Sequence, residues 1–383
     1  MALNNTTAQT NPPAIVAIGA GRMGRGIAVA YAIRGQSVVI VDFKPRSAEQ
    51  FQALQNDIDQ ELNTTLQQLA DLGMFSADQV AQHRARISVV SLDQAAQALA
   101  GAHIIYEGVP ETLDAKRDAL GRICQAAPAD AIIASTTSTM LASDLAAMVT
   151  HPERFMNAHW LNPAYIIPLV EISAHNGPVT APGTETGAAA GTNPTTATGN
   201  AAATNRSTAT PNPAATSPEA LAALKSSLKA IGKVPVQCGC TPGFIVPRLQ
   251  TLIMNEAARM VEEGVATAEE IDLATRYGLG FRFASIGVLE FIDYGGNDIL
   301  YHASRYLADN LDPTRYTAPD IVQRYMHEGK IGLRSASGFL SYEGVDLNAY
   351  RRDVLARTLG MLRHFGLDQS IPSTTVKETG NEN

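Results

Sequence analysis

Two short segments of this sequence carry the side chains best suited to moving a proton. His159, Asn162 and Pro163 stand in AHWLNP, directly after an apolar run, and Glu171 stands in the next such run. Upstream, a cluster of hydroxyls, ASTTST, follows another apolar run and includes Ser138. An imidazole titrates near neutral pH, so it suits removal of a hydroxyl proton while hydride leaves the carbon. A carboxylate on its far ring nitrogen would fix the tautomer and steady the imidazolium, and Glu171 is the candidate for that place. Ser138 and Asn162 would hold substrate oxygens. Taken alone, each group has a second reading: a strand-end histidine is often a satisfied structural group, and a Ser/Thr run often caps the next helix.

Such chemistry needs a hydride acceptor. Gly19-Ala20-Gly21-Arg22-Met23-Gly24 matches G-x-G-x-x-G, follows an expected strand, opens an expected helix, and is trailed by Asp42, 21 residues after Gly21. Gly19 permits the tight turn, Gly21 lets the backbone approach a pyrophosphate, and Gly24 allows close helix–strand packing. The helix start around Arg22 and Met23 offers free N–H groups and a positive dipole end to phosphates. Asp42 would bond the ribose hydroxyls and repel a 2′-phosphate, favouring NAD over NADP, although Lys44 and Arg46 close behind it soften that choice. The alternative is a glycine turn that binds no nucleotide.

The elements that place these residues follow from periodicity. Residues 14–19 and 37–42 read as strands around a helix, a βαβ unit. Residues 46–84 read as helical, interrupted near Gly73. Further strands are expected at 87–90, 103–106, 131–134, 155–158 and 169–172, with helices between most of them, so the class is α/β with a doubly wound sheet. Beyond Gly243 the chain reads as successive helices at about 244–264, 267–277, 285–308, 316–328 and 346–365, with TAEE at Thr267 as a capping signal. Residues 176–217 hold almost only Gly, Pro, Ala, Thr, Asn and Ser and are expected to be a disordered insert. The expected organisation is a flexible tail at 1–12, a nucleotide-binding domain at 13–240 and a helical domain at 241–383.

The chain has 383 residues, 45% of them hydrophobic and 17% charged, with a net charge of −8. That balance argues against nucleic acid as a partner. The start, MALNNTTAQTNPP, lacks the form of a signal peptide, and no stretch is apolar enough to span a bilayer, so no membrane partner is expected. Cys124, Cys238 and Cys240 make an odd count without Cys-x-x-Cys spacing. Neither a disulfide framework nor a metal site is expected, which fits a reducing, cytoplasmic setting.

Over about residues 13–366, the insert apart, the sequence resembles the L-3-hydroxyacyl-CoA dehydrogenase family. The family's H-x-x-N-P motif falls on His159 to Pro163, its glutamate twelve residues on from the histidine on Glu171, and its strand-end serine on Ser138. Its E-x-x-x-E segment, which borders the cofactor, falls on Glu107 and Glu111, with Lys116 following at the expected distance. Its P-G-F-[IV]-x-[NP]-R stretch is Pro242 to Arg248, and part of its late glycine signature survives as Ser337, Gly338, Phe339 and Tyr342. The resemblance implies a Rossmann-type first domain, an all-helical second domain that makes a homodimer, NAD as cofactor, an acyl-CoA substrate, and a His–Glu pair acting on the substrate hydroxyl. It also implies that residues 46–84 form an arm over the CoA.

There are departures. Pro247 stands where most members carry an asparagine near the substrate, and Asn255 on the same helix is the nearest substitute. The arm carries LADLGMF in place of a lysine-bearing segment. Gly278 to Ala284, GLGFRFA, resembles instead the G-x-G-x-R-[YWF]-A segment of the related gulonate and carnitine dehydrogenases, which act on free hydroxy acids, and so singles out Arg282 as a carboxylate contact. Three expectations stand side by side: a 3-hydroxybutyryl-CoA-type dehydrogenase, a dehydrogenase of a free or distal-carboxylate hydroxy acid, and a non-catalytic NAD-binding protein such as the crystallins of this lineage. The presence of Ser138, His159, Asn162 and Glu171 argues against the last.

Overall fold

A computed structural model describes residues 14–177 and 214–368; the expected tail at 1–12 and residues 178–213 of the expected insert lie outside the described residues. The chain divides into two units, Met1–Leu252 and Ile253–Asn383. In the first, the order is β1 (Ala14–Ile18), α1 (Arg22–Ala32), β2 (Val38–Val41), α2 (Ala48–Asp71), α3 (Val80–Arg84), β3 (Ile87–Val90), α4 (Ala95–Leu99), β4 (Ala102–Glu107), α5 (Leu113–Ala126), β5 (Ile132–Ser135), α6 (Ala142–Ala146), β6 (Phe155–Trp160), β7 (Leu169–Ala174), α7 (Pro218–Ala230) and β8 (Val234–Cys238). Helix α8 (Val246–Glu262) begins there and runs past the division, which falls after the expected boundary near residue 240.

The strands form one sheet in the order β3-β2-β1-β4-β5-β6-β7-β8. β1 to β6 are parallel; β7 runs antiparallel to β6, and β8 runs parallel to β7. The central strands are short apolar runs because helices cover both of their faces. Alternate residues go to opposite faces. Ile15, Ala17, Ile104 and Tyr106 pack with α1, α2 and α7, whereas Val16, Ile18 and Ile105 pack with α4, α5 and α6.

The long helical stretch after β2 is accounted for by its own pattern. Ser47 and Gln50 form a capping box at its start, and Ile58, Leu62, Leu66 and Leu69 make a buried stripe. Truncating one of those leucines to alanine would cost about 2–5 kcal/mol. Arg25 of α1 pairs with Asp57 and Glu61 on its flank. The helix stops where Gly73 turns left-handed (φ +81°) and the Met74 N–H reaches the Leu69 carbonyl at 2.9 Å. The two ends of the expected insert meet: His175 and Thr216 exchange hydrogen bonds, N–H to hydroxyl at 3.1 Å and N–H to carbonyl at 3.0 Å. Thr216 and Ser217, assigned to the insert from composition, are therefore held, and the Ser217 hydroxyl caps α7.

The second unit is helical: α9 (Ala268–Ala274), a π-helical turn at Thr275–Gly280, α10 (Phe281–Ser285), α11 (Val288–Gly295), α12 (Asn297–Asn310), α13 (Pro313–Tyr316), α14 (Asp320–His327) and α15 (Leu347–His364). The single helix expected over 285–308 is broken. Gly296 takes φ +115°, and a Cβ there would strike the Asp298 and Arg334 side chains. Buried Asp293 accepts N–H bonds from Phe339 at 2.9 Å and Leu340 at 2.7 Å and the Tyr342 hydroxyl at 3.3 Å. The late glycine signature thus fastens a loop: a Cβ on Gly338 would run into the Asp293 carboxylate. No helix among the described residues is long and apolar enough to cross a membrane.

Candidate active site

The first glycine turn is built by contact. Gly19 (φ +99°) donates its N–H to the Val41 carbonyl at 2.9 Å, and a Cβ on it would stand 2.7 Å from the Gly108 carbonyl. A Cβ on Gly24 would collide with the Gly19 carbonyl, so β1, α1 and the loop after β4 close up only around glycine. Gly21 differs: a Cβ there would meet no atom of the described residues within 4 Å. It opens onto a groove of about 450 Å³ whose walls include Gly19, Asp42, Arg46, Gly108 and Pro110. Among the described residues no side chain caps α1, so the helix start presents uncapped N–H groups to that space. An open cradle, a positive helix end and an acid at the tip of β2 fit the pyrophosphate and ribose of a dinucleotide. Buried Asp42 is paired with Arg46 in this structure. Arg22 is exposed, and Met23 packs on the core.

The expected His159–Glu171 pair comes from strand pairing. β6 and β7 are in antiparallel register with His159 opposite Glu171, which puts both side chains on one face. Nδ1 of His159 lies 2.8 Å from Oε2 of Glu171. His159 was expected just after a strand and Glu171 on the next one; His159 lies inside β6, and Glu171 stands at the third position of β7, which the reversed strand direction brings opposite it. Its other oxygen accepts the N–H groups of Ile245 at 2.9 Å and Val246 at 2.8 Å, where α8 begins. With Nδ1 turned to Glu171, Nε2 is the ring nitrogen left for another partner.

Phe244 lies flat on the imidazole, 5.1 Å between centroids and 7° between planes. It arrives through two successive left-handed residues, Gly243 (φ +78°) and Phe244 itself (φ +46°). Such a backbone costs a non-glycine residue about 1–3 kcal/mol. Sequence reasoning quoted the Pro-Gly-Phe stretch and missed this role. Pro247 falls in the first turn of α8, where a missing N–H leaves no helix bond broken. Nearby, burial first, then Glu171 and Cys240, push the Cys238 thiol up to about 11, so it stays protonated at neutral pH.

A second polar cluster sits between these two. Glu107, fully buried, binds Lys116 through both oxygens at 3.0 Å, the Ser135 hydroxyl at 2.6 Å and the Val109 N–H at 2.7 Å. Glu111 is half-exposed and accepts from the hydroxyls of Thr137 and Thr139 and from the N–H groups of Ser138 and Thr139. Burial would raise its pKa, but the Thr137 hydroxyl, Lys116 and Thr139 reverse this and hold it below the ordinary glutamate value. These bonds brace the loop from Gly108 to Glu111 along the groove. Thr137 and Ser135 were not singled out in the sequence; their neighbour Ser138 was, and its side chain is exposed.

Asn162 is exposed, and its peptide bond to Pro163 is cis. It shares with Arg22, Arg25, Thr65 and Tyr165 the wall of a cavity of about 220 Å³. Asn255 and Arg282 belong to the second unit. Asn255 is exposed on α8. Arg282 lies over the Phe291 ring at 4.6 Å and helps line a cavity of about 330 Å³ with Tyr277, Tyr294 and Thr358.

Residues 14–188 match the model of the 3-hydroxyacyl-CoA dehydrogenase NAD binding domain, and residues 243–342 match that of the 3-hydroxyacyl-CoA dehydrogenase C-terminal domain. An L-carnitine dehydrogenase from a Pseudomonas sp. is 31% identical over 96% of this chain and 99% of its own. The mitochondrial hydroxyacyl-coenzyme A dehydrogenase of Homo sapiens is 27% identical over 86% of this chain and 91% of its own. Among solved structures, a 3-hydroxyacyl-CoA dehydrogenase from Archaeoglobus fulgidus superposes with a TM-score of 0.63 at 25% identity, covering 93% of this chain and 100% of that one.

Proposed function

The chain belongs to the L-3-hydroxyacyl-CoA dehydrogenase family of NAD-dependent oxidoreductases, and we propose that it oxidises the 3-hydroxyl of a short-chain L-3-hydroxyacyl-CoA of the 3-hydroxybutyryl type. The hydrogen-bonded His159–Glu171 pair carries this reading. Gly19, Gly21, the first turn of α1 and Asp42 hold NAD, which supplies the hydride acceptor. His159 takes the hydroxyl proton at Nε2. Glu171, held by two backbone N–H groups, keeps the imidazole in its tautomer and balances the charge that forms. Ser138 and Asn162 donate to the substrate oxygens. Glu107, Lys116 and Glu111 keep the loop beside the cofactor in place. The second unit forms the homodimer contact, supported by exposed Ile299, Tyr306, Leu355 and Leu359.

NADH formation with 3-hydroxybutyryl-CoA, free 3-hydroxybutyrate, L-gulonate and L-carnitine tests the substrate. Turnover of the free acids without the thioester would overturn the CoA assignment. His159→Asn should lower kcat by about 10²–10⁴-fold with NAD affinity unchanged. A loss of only a few-fold would remove His159 as the base.

Arg282 favours a second reading, an acidic hydroxy acid or an acyl-CoA ending in a carboxylate. Among the described residues its guanidinium has an aromatic partner, Phe291, and no acidic one. Its planar fork suits a bidentate carboxylate. Under this reading Arg282→Met raises KM for the acidic substrate by about ten- to a hundredfold and spares the neutral acyl-CoA.

A further inference from the structure

Lys233, between α7 and β8, is a buried ammonium that the chemistry above does not use. The residue is 7% exposed. Its Nζ donates to the carbonyls of Ala164 at 2.5 Å and Ile167 at 2.7 Å and sits 5.6 Å from the centre of the Trp160 ring. No carboxylate lies within ion-pair distance among the described residues, so carbonyl dipoles and a π face hold the charge. On stability alone an apolar side chain suits such a place better.

The two carbonyls belong to the turn that joins β6 to β7. That turn begins just after His159 and carries Asn162 and Tyr165 into the 220 Å³ cavity they share with Arg22 and Arg25. Lys233 is not in the cavity wall; it lies behind it. Within the turn, the N–H groups of Ile166 and Ile167 both go to the Pro163 carbonyl at 2.9 Å, a single short loop of bonds. On the far side Ala164 is pressed against α1: a Cβ on Gly26 would stand 3.1 Å from the Ala164 Cβ. The turn is therefore pinched between α1 and the lysine.

We propose that Lys233 is a positioning residue of the active site, holding Asn162 and Tyr165 at the cavity wall by gathering the Ala164 and Ile167 carbonyls. The proposal rests on the reading of Asn162 as a substrate contact. Burial, and after it Arg34, bring the Lys233 ammonium down to about 8. Arg34, at the end of α1, is the charged group facing it; α7 meets it through the Leu228 carbonyl, which accepts its backbone N–H at 2.9 Å, and β6 through Trp160. The folded protein releases this proton near pH 8 and the unfolded chain near 10.5, so the lysine's contribution to stability rises with pH across that window. The clamp weakens across the same window. The opposite signs separate positioning from support.

Two measurements on the full chain decide it. In Lys233→Met, amide hydrogen exchange in a peptide spanning 161–168 should quicken about tenfold or more while the other strands hold their rates. With 3-hydroxybutyryl-CoA as probe, the variant should raise the thioester KM about ten- to a hundredfold, leave the NAD KM within about twofold, and flatten a rise in thioester KM that the wild type shows from about pH 7 to about pH 9. Unchanged exchange, or equal increases in both KM values, would overturn the proposal. If the variant does not fold, a wild-type KM flat through pH 8 overturns it. If the wild type turns over no thioester, the functional reading falls, and exchange still decides whether Lys233 holds the turn.

Discussion

Glu171 is bound on three sides, by the imidazole and by the Ile245 and Val246 amides, so its carboxylate has one orientation to offer. Glu171→Gln should lower kcat, and combined with His159→Asn it should lose much less than the product of the two effects, because the pair acts as a unit. Steady-state kinetics of the double variant check this; independent losses would dissolve the pair. Asp42→Ala should shift the kcat/KM ratio toward NADP, since it removes a ribose acceptor and leaves Arg46 without its partner. An unchanged NAD KM would take Asp42 off the ribose. Glu111 has its pKa depressed below 4.5, so its contribution to stability is present above that pH and is lost as pH falls through the folded-state value. Glu111→Gln should flatten the acid limb of the Tm–pH curve, and an identical limb would contradict the braced loop. The types and order of these residues were legible in the sequence. Apart from the His159–Glu171 pairing, their partners were not: five consecutive hydroxyls read alike, and only the fold turns Ser135, Thr137 and Thr139 toward carboxylates and leaves Ser138 outward.

Strand positions were legible because apolar runs punctuated by turn residues mark them, and β3 lies where it was expected. Strand direction was not, since Leu169–Ala174 reads the same to periodicity whichever way it runs. That omission matters most, because the antiparallel register of β6 and β7 is what brings His159 to Glu171. Helix breaks were legible only in part: Gly73 announced itself between two helical patterns, whereas Gly295-Gly296 was absorbed into one long helix. The fastening of the 332–342 loop on Asp293 yields a test at this scale. Gly338→Ala drives a methyl into a buried, fully engaged carboxylate and should destabilise the fold by about 2 kcal/mol or more. Denaturant unfolding measures it, and an unmoved midpoint would mean that the loop is not held as described.

At the scale of the whole molecule, a parallel sheet with an antiparallel edge pair places the groove beside Gly21 and the His159–Glu171 hydrogen bond within one unit. The helical unit carries one of the three departures from the family pattern, the Gly278–Ala284 segment with Arg282, and the first unit carries Pro247 and the arm. Replacing residues 178–213 with a short Gly-Ser linker should leave activity intact and Tm within about 2 °C, because the segment's composition offers little to bury. A large fall in Tm would show that the segment contributes contacts. The His175–Thr216 clasp gives that experiment its geometry. Since the end of β7 and the start of α7 meet at one hydrogen-bonded point, a contact-free segment lodged there would be a closed detour whose cost is loop closure alone. Doubling its length adds about 0.6 kcal/mol. A reporter domain with adjacent termini could be grafted at this port while the hydrogen bonds of β6, β7 and β8 stay as they are.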